Sequence, residues 1–182
     1  MFLDKAVYYS DDETSLFLRG GLSCPMLWPD QELETVVKGD CSTLESLWYT
    51  CGRVAQAIFD LFSQTQSGRM KPIPWFDIEA HEEIFLPPCP LCGTYEDVRI
   101  PRTLEIVAVP QSHAGEIYAH VLESRERFIV GDARKFAVDR WALIFSKLHP
   151  HLIGKHSFFQ GQWPYRLDPE RLITFLKSAQ LL

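Results

Sequence analysis

Cys89-Pro90-Leu91-Cys92-Gly93 is the stretch of this 182-residue chain best suited to chemistry. Two thiolates separated by two residues grip one tetrahedral ion, and a glycine after the second permits the tight turn that aims backbone N–H groups at sulfur. This is the spacing of a zinc knuckle, so zinc is the candidate cofactor, the alternative being no cofactor and a pair of reduced cysteines in a proline-rich turn. A closed site needs two more ligands. No second Cys-x-x-Cys occurs, so they must come from His81, Cys24, Cys41 or Cys51, with His81 the best third ligand. Cys51 falls in an apolar stripe and reads as core. A redox dithiol fits less well, because no helix of apolar spacing follows Cys92 to lower a thiol pKa.

His149-Pro150-His151, with His156 five residues later, is a second cluster able to chelate a metal or to act as an acid–base pair. It also follows a predicted helix, where a cation near the C-terminus is favourable and proline is a common stop, and the expectation rests on that plainer role. His113 and His120 show no partner in the sequence. A nucleophile elbow, a P-loop, a Gly-x-Gly-x-x-Gly and a His-Glu-x-x-His are all absent.

His81-Glu82-Glu83 followed by Pro88-Cys89-Pro90-Leu91-Cys92 resembles the signature of the zinc-dependent nucleoside and nucleobase deaminases. The resemblance implies that His81, Cys89 and Cys92 hold zinc while Glu83 shuttles protons. It covers a dozen residues. The chain departs from the family in spacing, with seven residues between His81 and Cys89 where the family places a helix and a strand.

Charge points elsewhere. The chain carries 24 Asp/Glu against 18 Lys/Arg, a net of −6, which argues against a nucleic-acid binder held by phosphate contacts. The excess is uneven: residues 1–97 hold 16 acidic and 6 basic residues, net −10, and residues 98–182 hold 8 and 12, net +4. Asp11-Asp12-Glu13, Asp30/Glu32/Glu34 and Asp77/Glu79/Glu82/Glu83 supply most of the acidity. Trp28, Trp75, Phe76 and Phe85 lie among them, the composition of an interface hot spot with a charged rim, and Gln160–Tyr165 is a similar aromatic loop. In profile the chain resembles the bacterial immunity proteins, which are compact, acidic and motif-poor. That likeness implies a non-enzymatic inhibitor that docks a basic partner such as a toxin or effector domain through Asp11, Asp12, Glu13, Trp75, Asp77, Glu79, Glu82 and Glu83. The alternatives are a zinc-dependent hydrolase and an interaction module of a larger assembly, in which zinc only fastens a loop.

The elements that must carry these residues read as one α+β domain over 1–182, an antiparallel or mixed sheet packed by about three helices. Hydrophobic residues make up 46% and aromatics 13%, enough for a core without disulfides. No apolar run approaches a membrane span, and the N-terminus lacks the apolar stretch of a signal peptide, so a cytoplasmic chain with reduced thiols is expected. Residues 4–20 predict a hairpin. A capping box at Ser42 and Glu45 opens a helix whose stripe runs Leu44, Leu47, Trp48, Cys51, Val54, Ala55, Ile58 and Phe62, ending near Ser67-Gly68. Residues 69–102 are proline-punctuated and predict a loop excursion. Thr103–Val109, Glu116–Leu122 and Arg127–Val130 predict a meander. Asp132 opens a second helix burying Ala137, Trp141, Ile144, Phe145 and Leu148. The last helix has Asp168 as N-cap, Pro169 at its first position and Leu172, Ile173, Phe175, Leu176 and Ala179 on its apolar face.

Overall fold

The apolar stripe beginning at Leu44 predicts one long helix, and the chain folds it into two. The computed structural model describes residues 27, 31–82, 89, 91–94, 104–111, 143–160 and 166–182. Within them α1 spans Leu33–Ser46 and α2 spans Cys51–Gln66. Trp48 takes a left-handed φ of 64°, its N–H donates to the Glu45 carbonyl, and the Tyr49 N–H donates back to Leu44. This backbone pattern closes a helix end. Thr50 is then extended, and its hydroxyl accepts the Arg53 N–H at 3.3 Å, restarting the helix. Ser42, predicted as the cap, sits inside α1 instead. The stripe's burial holds across the corner except at Trp48, which the turn leaves 91% exposed: Leu44, Val54, Ile58 and Phe62 share one core, with Leu47 and Cys51 packed at its edge.

The sheet is antiparallel and ordered β1-β2-β3, with β1 Phe76–Glu82, β2 Leu104–Pro110 and β3 Leu143–Ser146. Register runs from Phe76 opposite Pro110 to Glu82 opposite Leu104, and from Glu105 opposite Ser146 to Ala108 opposite Leu143. β2 lies where the period-two pattern places it. β1 corrects the reading of 69–102 as loop: it starts two residues after Pro74 and ends before Pro87, in a window without proline. β3 corrects the second predicted helix. Leu143, Ile144, Phe145 and Ser146 are all buried, so both faces of the strand are covered, and a four-residue apolar run carries no period to distinguish it from a helix. The predicted hairpin at 4–20, the strands at 116–122 and 127–130, and residues 132–142 lie outside the described residues.

Leu148 opens α3, Leu148–His156. The side chain of His149 ties its first turn back to the end of β3, Nδ1 accepting the Ser146 N–H at 2.8 Å. Pro150 is tolerated because it stands in the first turn, where backbone N–H groups have no helical partner. α3 packs on α2 so closely that a Cβ on Gly154 would lie 3.1 Å from the Ala55 Cβ. α4, Pro169–Ser178, begins as its sequence requires: Asp168 accepts the Arg171 N–H at 3.1 Å and Pro169 stands at the helix start. Its Phe175 meets Phe76 edge-on at 5.1 Å and Phe145 at 5.3 Å, seating α4 against the sheet.

Two core clusters result. The larger joins α2, α4 and one face of the sheet. The smaller holds Leu27, Cys89, Leu91, Leu148, Leu152 and Phe158, with Leu33, Val36 and Val37 of α1 packed against it. A half-buried ion pair ties α1 to the approach of α4: Arg166 reaches Asp40 at 2.6 and 3.2 Å and donates to the Gln160 carbonyl at 2.6 Å. Among the described residues no helix is long and apolar enough to cross a membrane.

Candidate metal centre

The smaller cluster positions the knuckle. Cys89 is fully buried in it, and its backbone is held at both groups: the N–H donates to the Thr94 carbonyl and the C=O accepts from Gly93, each at 2.7 Å. Gly93 adopts a φ of 69°, the left-handed conformation that favours glycine at this position of the turn. Leu91 anchors the loop in the same cluster, leaving Cys92 partly exposed at its rim.

Leu148 and Leu152 bury one side of α3 in that cluster, which brings the helix alongside the knuckle. His151 and His156 thereby meet the cysteines. His151 Nε2 lies 3.2 Å from Cys92 Sγ and 3.3 Å from His156 Nε2. The ligand atoms of Cys89, Cys92, His151 and His156 all fall within 4.8 Å of one another, so the four can hold a metal ion. His149, the remaining member of the histidine cluster, points the other way into the helix start.

Electrostatics set Cys89, Cys92 and His156 apart. Burial pushes the Cys89 thiol up to about 12, with backbone hydrogen bonds at Leu91 and Cys92 opposing only in part. Burial also opposes ionisation of Cys92, but hydrogen bonds to Thr94 and Cys89 and the charge of Lys155 outweigh it and bring that thiol below its ordinary value. Burial, and then the charges of His151 and Lys155, pull His156 down to about 4, so near neutral pH its imidazole is uncharged and has a free lone pair. A cation among these groups supplies what Cys89 lacks, a counter-charge for a buried thiolate.

The sequence-derived site residues are distributed as follows. Cys89 and Cys92 come together with two histidines. His81 lies on β1 opposite Glu105, and its side chain is outside what is described. Cys41 and Cys51, on α1 and α2, are partly exposed and belong to no such group among the described residues. Asp77 and Glu79 share one face of β1 while Glu82 falls on the other, because strand side chains alternate. Trp75 is 77% exposed at a left-handed φ of 71°. Asp11, Asp12, Glu13, Glu83 and Cys24 lie outside the described residues. His151 and His156 as partners of the knuckle are absent from the sequence reading. Their His-x₄-His spacing suits a zinc pair, but they stand 59 and 64 positions beyond Cys92, and only the fold connects them.

Compared with protein-family models, curated proteins and solved structures, the chain matches none.

Proposed function

We propose that this protein is a non-enzymatic binding module whose 89–94 knuckle is fastened to α3 by a structural zinc ion. The observation that carries this reading is the closed ligand set of two cysteines and two histidines. Catalytic zinc keeps a coordination position open for water or substrate, whereas four protein ligands fill the tetrahedron. Two sulfur and two imidazole donors select zinc over calcium, magnesium or manganese. The spacing agrees. With Zn–S of about 2.3 Å and Zn–N of about 2.0–2.1 Å, a tetrahedron has N···N edges of about 3.3 Å and S···N edges of about 3.6 Å. The His151–His156 and Cys92–His151 separations are 3.3 and 3.2 Å, so small side-chain adjustments admit the ion. A zinc hydrolase of deaminase type, with His81 as ligand and Glu83 as proton shuttle, fits this closed set less well.

The partner this reading implies is a basic protein, a toxin or effector domain being the type of choice. The net charge of −10 over residues 1–97 favours it, and Trp75 beside Asp77 has the make-up of an aromatic anchor with an acidic rim. Metal analysis tests the fastening: one zinc per chain is expected, lost in Cys92→Ser and His151→Ala. A stoichiometric zinc that persists in both variants would place the metal elsewhere. Affinity capture at low and high salt tests the partner. A basic protein retained only at low salt supports docking by charge, and capture unaffected by salt would discard it.

A further inference from the structure

Thr94 touches the candidate centre twice, by different atoms. Its backbone carbonyl accepts the Cys89 N–H at 2.7 Å and so closes the knuckle turn. Its hydroxyl lies 2.8 Å from Cys92 Sγ and 3.4 Å from His151 Nε2. A hydroxyl has a single proton to give. In the metal-loaded site the His151 Nε2 lone pair is committed to the ion, so the sulfur is the acceptor that remains. A thiolate bound to a metal keeps lone pairs free for such a bond.

We propose, resting on the zinc reading above, that Thr94 is a positioning residue of the metal centre, whose hydroxyl donates to the Cys92 thiolate, orients that sulfur and sets the affinity for the ion. The bond draws electron density from the sulfur and restrains its rotation, the part that outer-shell partners play for metal ligands generally. The two contacts are chemically separable, because valine keeps the carbonyl that closes the turn and the shape of the side chain but removes the proton.

The test is cobalt(II) and zinc(II) titration, in competition with a chelator, of the whole chain and of Thr94→Val and Thr94→Ser. The valine variant should keep its far-ultraviolet dichroism yet bind either metal about 10- to 100-fold more weakly. Its sulfur-to-cobalt charge-transfer band should move to lower energy, since the undressed thiolate is easier to oxidise. The serine variant, which retains the hydroxyl, should restore both. A valine variant with unchanged affinity and an unmoved band would overturn the assignment. Should that variant not fold, Thr94→Ala carries the same comparison. A wild-type chain that binds neither metal removes the zinc reading itself, an outcome distinct from wild-type binding that ignores Thr94.

Discussion

Cys89 and Cys92 stand in unequal surroundings, and substitutions should expose the difference. Either serine replacement removes a candidate ligand and should weaken metal binding by more than about 100-fold, beyond what outer-shell changes cost. Cys89→Ser also places a hydroxyl in a fully buried site, at about 1–3 kcal/mol, so it should lower the melting temperature of the metal-free chain. Cys92→Ser, at the rim, should leave that temperature nearly unchanged. Equal melting temperatures would contradict the burial of Cys89. The knuckle was legible because its two sulfurs and its glycine lie within five residues. The histidines were not, because nothing local distinguishes a ligand pair from the basic end of a helix.

The Asp40–Arg166 pair behaves asymmetrically for the same reason. Asp40 is 4% exposed, and burial pushes its carboxyl up while Arg166 pulls the other way. Arg166 keeps about a quarter of its side chain in solvent. Arg166→Met leaves a buried carboxylate uncompensated, an expected loss of about 3–5 kcal/mol near neutral pH, whereas Asp40→Asn leaves a guanidinium that water still reaches, and about 1–2 kcal/mol is expected. The sign with pH follows from the raised carboxyl. The folded chain holds the Asp40 proton more tightly than the unfolded chain, so this contribution is full below the unfolded value near 3.8 and fades as pH rises through the folded one. Without Arg166 the carboxyl rises further, and Arg166→Met should recover part of its lost stability between pH 7 and pH 5. Urea melts at both values decide it, and an equal deficit at both would refute the pair's role.

At the scale of elements, the corner between α1 and α2 is the instructive miss. Apolar periodicity reports which face is buried and says nothing of the axis, so Leu44 to Phe62 read as one helix while Trp48 and Thr50 broke it. Trp48 adopts its left-handed φ with 91% of its surface in solvent, so packing does not hold it there. Trp48→Gly should therefore raise stability by about 1 kcal/mol through relief of backbone strain, less the entropy glycine adds to the unfolded chain. Loss of stability in a thermal melt would show that the exposed ring contributes to the fold. α4 was legible because Asp168, Pro169 and the apolar stripe agree. β1 was obscured by flanking prolines, and β3 by its length.

For the whole molecule, the candidate metal centre borders the smaller cluster, and the main core of α2, α4 and the sheet has its own buried phenylalanines and leucines. Chelation should therefore loosen part of the chain only. Hydrogen exchange should quicken in 89–94, α3 and the N-terminal half of α1, with α2 and α4 remaining protected. The most direct measurement is titration of the chelator-treated protein with cobalt(II), followed by its visible spectrum. A four-ligand centre of two sulfurs and two imidazoles requires saturation at one equivalent with the intense bands of tetrahedral cobalt, and their disappearance in His151→Ala and in Cys92→Ser. No such bands, or bands indifferent to His151, would contradict the centre and the function built on it.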